Sequence, residues 1–209
     1  MSITYKETEN KKKILERLVE FIDQHGGIVK KEQLAELGID YRRILDYVDS
    51  GAIVRIKNGY YTNDIHRFTE EELIAKLFPD GVLCMESALY AYGYIQQKPF
   101  GWRIAIDKNT SKSRFKMDYP KIIPLYTEPE VLELGTASIT IEGNTFRIYD
   151  KERMICDCMK YEGKMEHKQF QEALQSYIKE PEKDIMALME YARARKVVKK
   201  VQSLIGVWL

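Results

Sequence analysis

The sequence predicts an α+β fold: an N-terminal helix-turn-helix carrying a hairpin wing, then a larger mixed domain with a small sheet and a C-terminal helical group. Three observations carry this. Leu34, Leu37 and Ile39 lead through Gly38 into residues 40–48, where Ile44, Leu45 and Val48 fall at the spacing of a buried helical face. Residues 52–56 and 60–62 are β-prone runs flanking Lys57-Asn58-Gly59, and Asn-Gly in that setting signals a hairpin because both residues tolerate positive φ. Farther along, strand-like runs are followed by helical ones, the order of an α+β domain.

The elements are expected as follows. A polar lead runs to Asn10, and Lys11 to Gln24 forms an amphipathic support helix with Ile14, Leu15, Leu18 and Ile22 on one stripe. His25-Gly26-Gly27 stops it, and Ile28-Val29 is short enough to add a strand beside the wing. Asp40 is placed to cap the second helix of the turn, and Gly51 to stop it. This first domain is expected over residues 1–66 and the second over 67–209. In the second, Thr69-Glu70-Glu71-Glu72 opens a helix through Phe78, and a short helix spans Ser87 to Tyr92. Strands are expected at Arg103–Asp107, Lys121–Tyr126, Ser138–Ile141 and Thr145–Tyr149, the last two joined by Glu142-Gly143-Asn144. Helices follow at 151–161, 168–178, 182–195 and 197–205.

Composition narrows the function classes. The chain has 209 residues and a formal net charge of +1, so no global basic field draws it to nucleic acid, and any such binding must come from a local patch. Three cysteines, no apolar leader and no long apolar span predict a reduced, cytoplasmic protein without a membrane segment. Cys156 and Cys158 lie two apart on a helix, point to different sides, and read with Cys84 as core residues. No metal or cofactor is expected: there is no HExxH, P-loop or GxSxG pattern, nor an Asp-x-Asp pair of the kind that holds magnesium.

The candidate DNA-binding residues surround the turn and the wing. A recognition helix reads DNA mainly from its N-terminal end, which here carries Tyr41, Arg42 and Arg43, with Tyr47 one turn later. Arginine forks onto guanine O6 and N7 or onto phosphate. Lys30 and Lys31 open the preceding helix, and Arg55, Lys57 and Asn58 stand on the wing. The competing readings are a solvated winged unit that contacts another protein, and an enzyme seated in the second domain. Asp46 and Asp49 oppose a deep fit in the major groove. At the strand-to-helix step, Asp150, Glu152, Arg153 and Asp157 read first as helix-anchoring groups and second as a functional cluster. The aromatic run Tyr90, Tyr92, Tyr94, Phe100 and Trp102 reads first as packing and second as a stacking platform for bases. Arg193, Arg195 and Lys196, with Lys199 and Lys200, form a basic cluster that is either a solvated face or a phosphate or partner site.

Three blocks resemble the AbiEi family of bacterial antitoxins, the antitoxin half of type IV toxin–antitoxin pairs in abortive phage infection. They are Gly26-Gly27 through Gly59-Tyr60-Tyr61, residues 83–93 (Leu83 to Gly93), and residues 143–157 with their Tyr-Asp, Glu-Arg and Cys-Asp pattern. The resemblance implies a regulator that binds inverted repeats in its own promoter through the winged helix, with self-association on DNA allowed. It also implies a C-terminal domain that neutralises a nucleotidyltransferase-like toxin without a stable complex.

Overall fold

The computed structural model describes the backbone of residues 2–208 and the side chains of residues 10–208. It is a mixed α and β protein whose backbone divides into two compact units, one made of residues up to Thr69 together with Lys112–Tyr119, the other of Glu70–Ser111 and Pro120 onward.

In the first unit, α1 (Ser2–Gln24) begins earlier than the expected Lys11, so the polar lead is helical; the side chains of residues 2–9 lie outside the described residues. Leu18 and Ile22 are fully buried and Ile14 and Leu15 pack beside them, as the stripe requires. β1 (Val29–Lys30), α2 (Lys31–Glu36), α3 (Tyr41–Asp49), β2 (Val54–Lys57) and β3 (Tyr60–Thr62) follow. β3 lies between β1 and β2, antiparallel to both, with Val29 opposite Tyr61 and Val54 opposite Thr62. One core, with Leu18, Ile22, Leu34, Ile44, Tyr47 and Tyr61 among its buried members, holds helices and wing together. Gly38, at φ +66, makes the turn between α2 and α3 in a conformation that costs a side-chain-bearing residue about 1–2 kcal/mol. Asp40 caps α3, its Oδ1 accepting from the Arg42 amide at 3.0 Å. The turn at Asn58-Gly59 departs from the mirror-image type, since only Gly59 takes positive φ (+80), and the register shifts between Arg55 and Lys57.

The second unit is built on a five-stranded sheet ordered β6-β5-β4-β8-β7. After α4 (Glu70–Leu77), the two-residue β4 (Val82–Leu83) occupies its centre and leads into α5 (Met85–Ala91). β5 (Trp102–Asp107), β6 (Ile122–Thr127), β7 (Thr136–Ile141) and β8 (Asn144–Tyr149) lie within two residues of the expected strands, and α6 (Pro129–Leu132) precedes β7. β4 pairs parallel with β8 and antiparallel with β5, while β5 and β6 are parallel. β4 and α6 were not anticipated, because two and four residues are too short to establish a period. α7 (Lys151–Lys160), α8 (His167–Lys179), α9 (Ile185–Arg195) and α10 (Val198–Leu204) form the helical group. α7 is buried along nearly its whole length, and all three cysteines are buried thiols. Among the described residues, no helix is long and apolar enough to cross a membrane.

Candidate nucleic-acid interface

The capped N-terminus of α3 sets the geometry of the candidate interface. Successive residues of an α-helix turn by about 100°, so Tyr41 and Arg43 lie on opposite flanks of α3 with Arg42 between them. The contacts agree. Tyr41 faces the wing side, where its ring lies under the Lys31 ammonium at 3.9 Å and its hydroxyl accepts from Tyr61 at 3.5 Å. The Tyr41 phenol is held below its ordinary pKa, first by that hydrogen bond and then by the charges of Arg55 and Lys31. Its partner Tyr61 is pushed up to about 12 by burial. Arg55 is exposed on β2 and donates through Nη2 to Asn58 Oδ1 at 2.6 Å, which stiffens the hairpin tip. Lys30 is exposed, with its ammonium 5.9 Å from the Tyr60 ring, and its amide donates to Gln33 at 2.8 Å. Arg42 is exposed on the outer ridge, the same ridge that carries Asp46 and Asp49.

Two of the nine expected DNA-binding residues are not on the outer surface. Tyr47 is 7% exposed; it faces α1 and donates its hydroxyl to the Lys11 carbonyl at 3.0 Å, and burial raises its pKa. The reason is periodicity: Tyr47 follows Ile44 by one turn, so it shares the core face. Lys57 is 4% exposed, with its ammonium 4.4 Å from the Tyr60 ring, because the register shift before it turns the side chain inward. Lys30, Lys31, Tyr41, Arg42, Arg43, Arg55 and Asn58 remain at least partly accessible.

The C-terminal candidates divide sharply. Asp150 caps α7, accepting from the Arg153 amide at 2.8 Å and from the Tyr191 hydroxyl at 3.0 Å, and burial raises its pKa. Glu152 accepts from the Asp184 amide at 3.0 Å and from Tyr177 at 3.3 Å, tying α7 to the start of α9 and to α8. Asp157 is fully buried between two guanidinium groups, with Arg153 Nε at 3.2 Å and Arg195 Nε at 2.5 Å. Arg153 also donates to the carbonyls of Val131 and Leu134, both at 2.6 Å, and lies 4.2 Å from the Tyr149 ring. Burial works against the Arg195 charge, yet Asp157 and Tyr161 hold its pKa above the ordinary value. Arg195 therefore belongs to the interior, although the sequence grouped it with a basic surface cluster. Arg193 and Lys196 are exposed, and Lys196 ends α9 in the left-handed conformation at φ +61. Of the aromatic run, Tyr94 and Trp102 pack inside, while Phe100 is 92% exposed. Among the described residues no cluster of three or more His, Cys, Asp or Glu has metal-binding geometry.

Residues 16–64 match a family of regulators described as "Transcriptional regulator, AbiEi antitoxin". The match begins within α1 and ends two residues past β3, so it coincides with the winged unit and leaves residues 65–209 outside it. A search of curated proteins finds no match to the chain.

Proposed function

We propose that this protein is an antitoxin and autorepressor: residues 1–66 bind inverted repeats in its own promoter, and residues 67–209 antagonise a nucleotidyltransferase-like toxin. The observation that carries the reading is the coincidence of the regulator-family match with a winged unit whose capped α3 presents an exposed Arg42 beside the exposed Lys30, Lys31 and Arg55. Arg42 reads base edges, and Lys30, Lys31 and Arg55 meet phosphates on the wing side. The protein acts as a binder rather than a catalyst, in the cytoplasm, with promoter DNA as its lasting partner.

For the second unit, the hydrogen bonds and ion pairs within the helical group favour some candidates over others. Asp150, Glu152, Arg153, Asp157 and Arg195 are engaged in docking helices, which supports Arg193 and Lys196, both exposed, as the residues that meet a partner. The test is a titration of the protein onto a fluorescent duplex of its own upstream region, and onto a scrambled duplex, at several salt concentrations. Preferential, salt-weakened binding to the native duplex is expected. Equal binding to both duplexes, or none, overturns the repressor reading.

A further inference from the structure

The cationic groups around Tyr41 account for only one side of α3. On the other side, α1 and the turn between α2 and α3 enclose a hollow of about 120 Å³ lined by Ile14, Arg17, Leu37, Gly38, Ile39 and Arg43. Arg17 is exposed, Arg43 is half-buried, and neither guanidinium forms an ion pair with a described residue. Two guanidinium groups that line one hollow over an apolar floor, with no ion-pair partner among the described residues, make that hollow favourable to an anion. The place matters as much as the charge. Tyr41 with Lys31 marks one flank of α3, Arg43 with Arg17 marks the other, and Arg42 stands on the ridge between. A helix with its side chains is about 10–12 Å across and the major groove about 12 Å wide, so a helix lying in the groove brings its two flanks against opposite phosphate strands.

We infer that Arg17, on the support helix and outside the helix-turn-helix itself, joins Arg43 in binding a backbone phosphate on the strand opposite the wing. The inference rests on the DNA-binding reading of the winged unit. It adds a second anchoring point, so that α3 is held from both walls of the groove and Arg42 is fixed in register between them. The bound group is an oxyanion of a DNA phosphodiester, and the contact carries no base information.

The test measures the dependence of binding on salt for the full-length protein with native and scrambled duplexes. Each phosphate neutralised contributes about 0.9 to the slope of log K against log salt. Arg17→Ala is expected to lower that slope by about one, to weaken both duplexes by the same factor, and to leave the thermal midpoint unchanged because the side chain is exposed. Arg17→Lys is expected to retain the slope, since an ammonium also neutralises a phosphate. A wild-type slope kept in Arg17→Ala overturns the inference even when promoter preference is intact. If wild type shows no promoter preference but Arg17→Ala still lowers the slope, the repressor reading fails and the phosphate contact stands. A parallel arm adds inorganic phosphate alone. Thermal stabilisation that needs Arg17, with no change in DNA slope, would assign the hollow to a free anion and overturn the DNA contact.

Discussion

Asp157 accepts from two guanidinium groups at once, and removing its charge strands both of them away from water. Loss of one partner from a buried ion pair costs about 3–5 kcal/mol. Asp157→Asn is therefore expected to lower the denaturation midpoint strongly, as read by urea unfolding followed by circular dichroism. An unchanged midpoint would show that the network contributes little to stability. Any loss of toxin antagonism in that variant reports a damaged fold, not a missing contact. Arg42 behaves in the opposite way. Arg42→Ala leaves the core intact and is expected to cost about 1–3 kcal/mol on the native duplex while the scrambled duplex is little affected. Equal losses on both would reassign Arg42 to a phosphate. The difference between such residues was only partly legible beforehand. The Asp150 cap and the Arg153–Asp157 pairing follow from their spacing on α7. The burial of Arg195 does not, because its partner lies on another helix and only tertiary packing brings the two together.

Elements with strong local signals were the ones the sequence reported well. The stripe on α1, the Asp40 cap and the hairpin depend on neighbours a few residues away, and each is found where its pattern placed it. β4 escaped because two buried residues carry no period, although it is the central strand of its sheet. Tyr47 and Lys57 were misplaced for different reasons, one by a helical turn and one by an irregular register. The wing gives a prediction at this scale. A Cβ added at Gly59 meets nothing within 4 Å, so the cost of Gly59→Ala is purely that of a positive φ, about 1–2 kcal/mol. Gly59→Asn is expected to lose less, because asparagine tolerates that conformation. Thermal midpoints of the two variants, with amide exchange at Tyr60 and Tyr61, would decide. Equal losses in both would point to a cause other than φ.

At the scale of the whole molecule, three buried thiols set an alkaline limit. Burial raises the pKa of Cys84, Cys156 and Cys158, Cys156 to about 12, above the ordinary 9.0. In the unfolded chain the same thiols ionise near 9.0, so the unfolded state releases protons that the folded state keeps. The thiols' stabilising contribution is fully present below 9.0 and is lost as pH rises from there toward the folded values. Each thiol contributes a slope of about 1.4 kcal/mol per pH unit in that window. Stability measured from pH 8 to 10.5 is expected to fall, and more gently in Cys84→Ala, which removes one of these ionisations. A profile flat across that range would contradict the burial of these groups.

The two sheets also differ in when synthesis can complete them. β3 follows β2 after a two-residue turn and pairs with β1 only a short way upstream, so the small sheet has all its strands once residue 62 has emerged. β4 must wait for β8, since Val82 pairs with Arg147 and Leu83 with Ile148. On the ribosome, therefore, the small sheet can close while the central strand of the larger one still has an open edge. An unpaired apolar strand invites association with other chains. Nascent chains stalled between β4 and β8 should accordingly depend on a chaperone, and that dependence should end once β8 is free to pair.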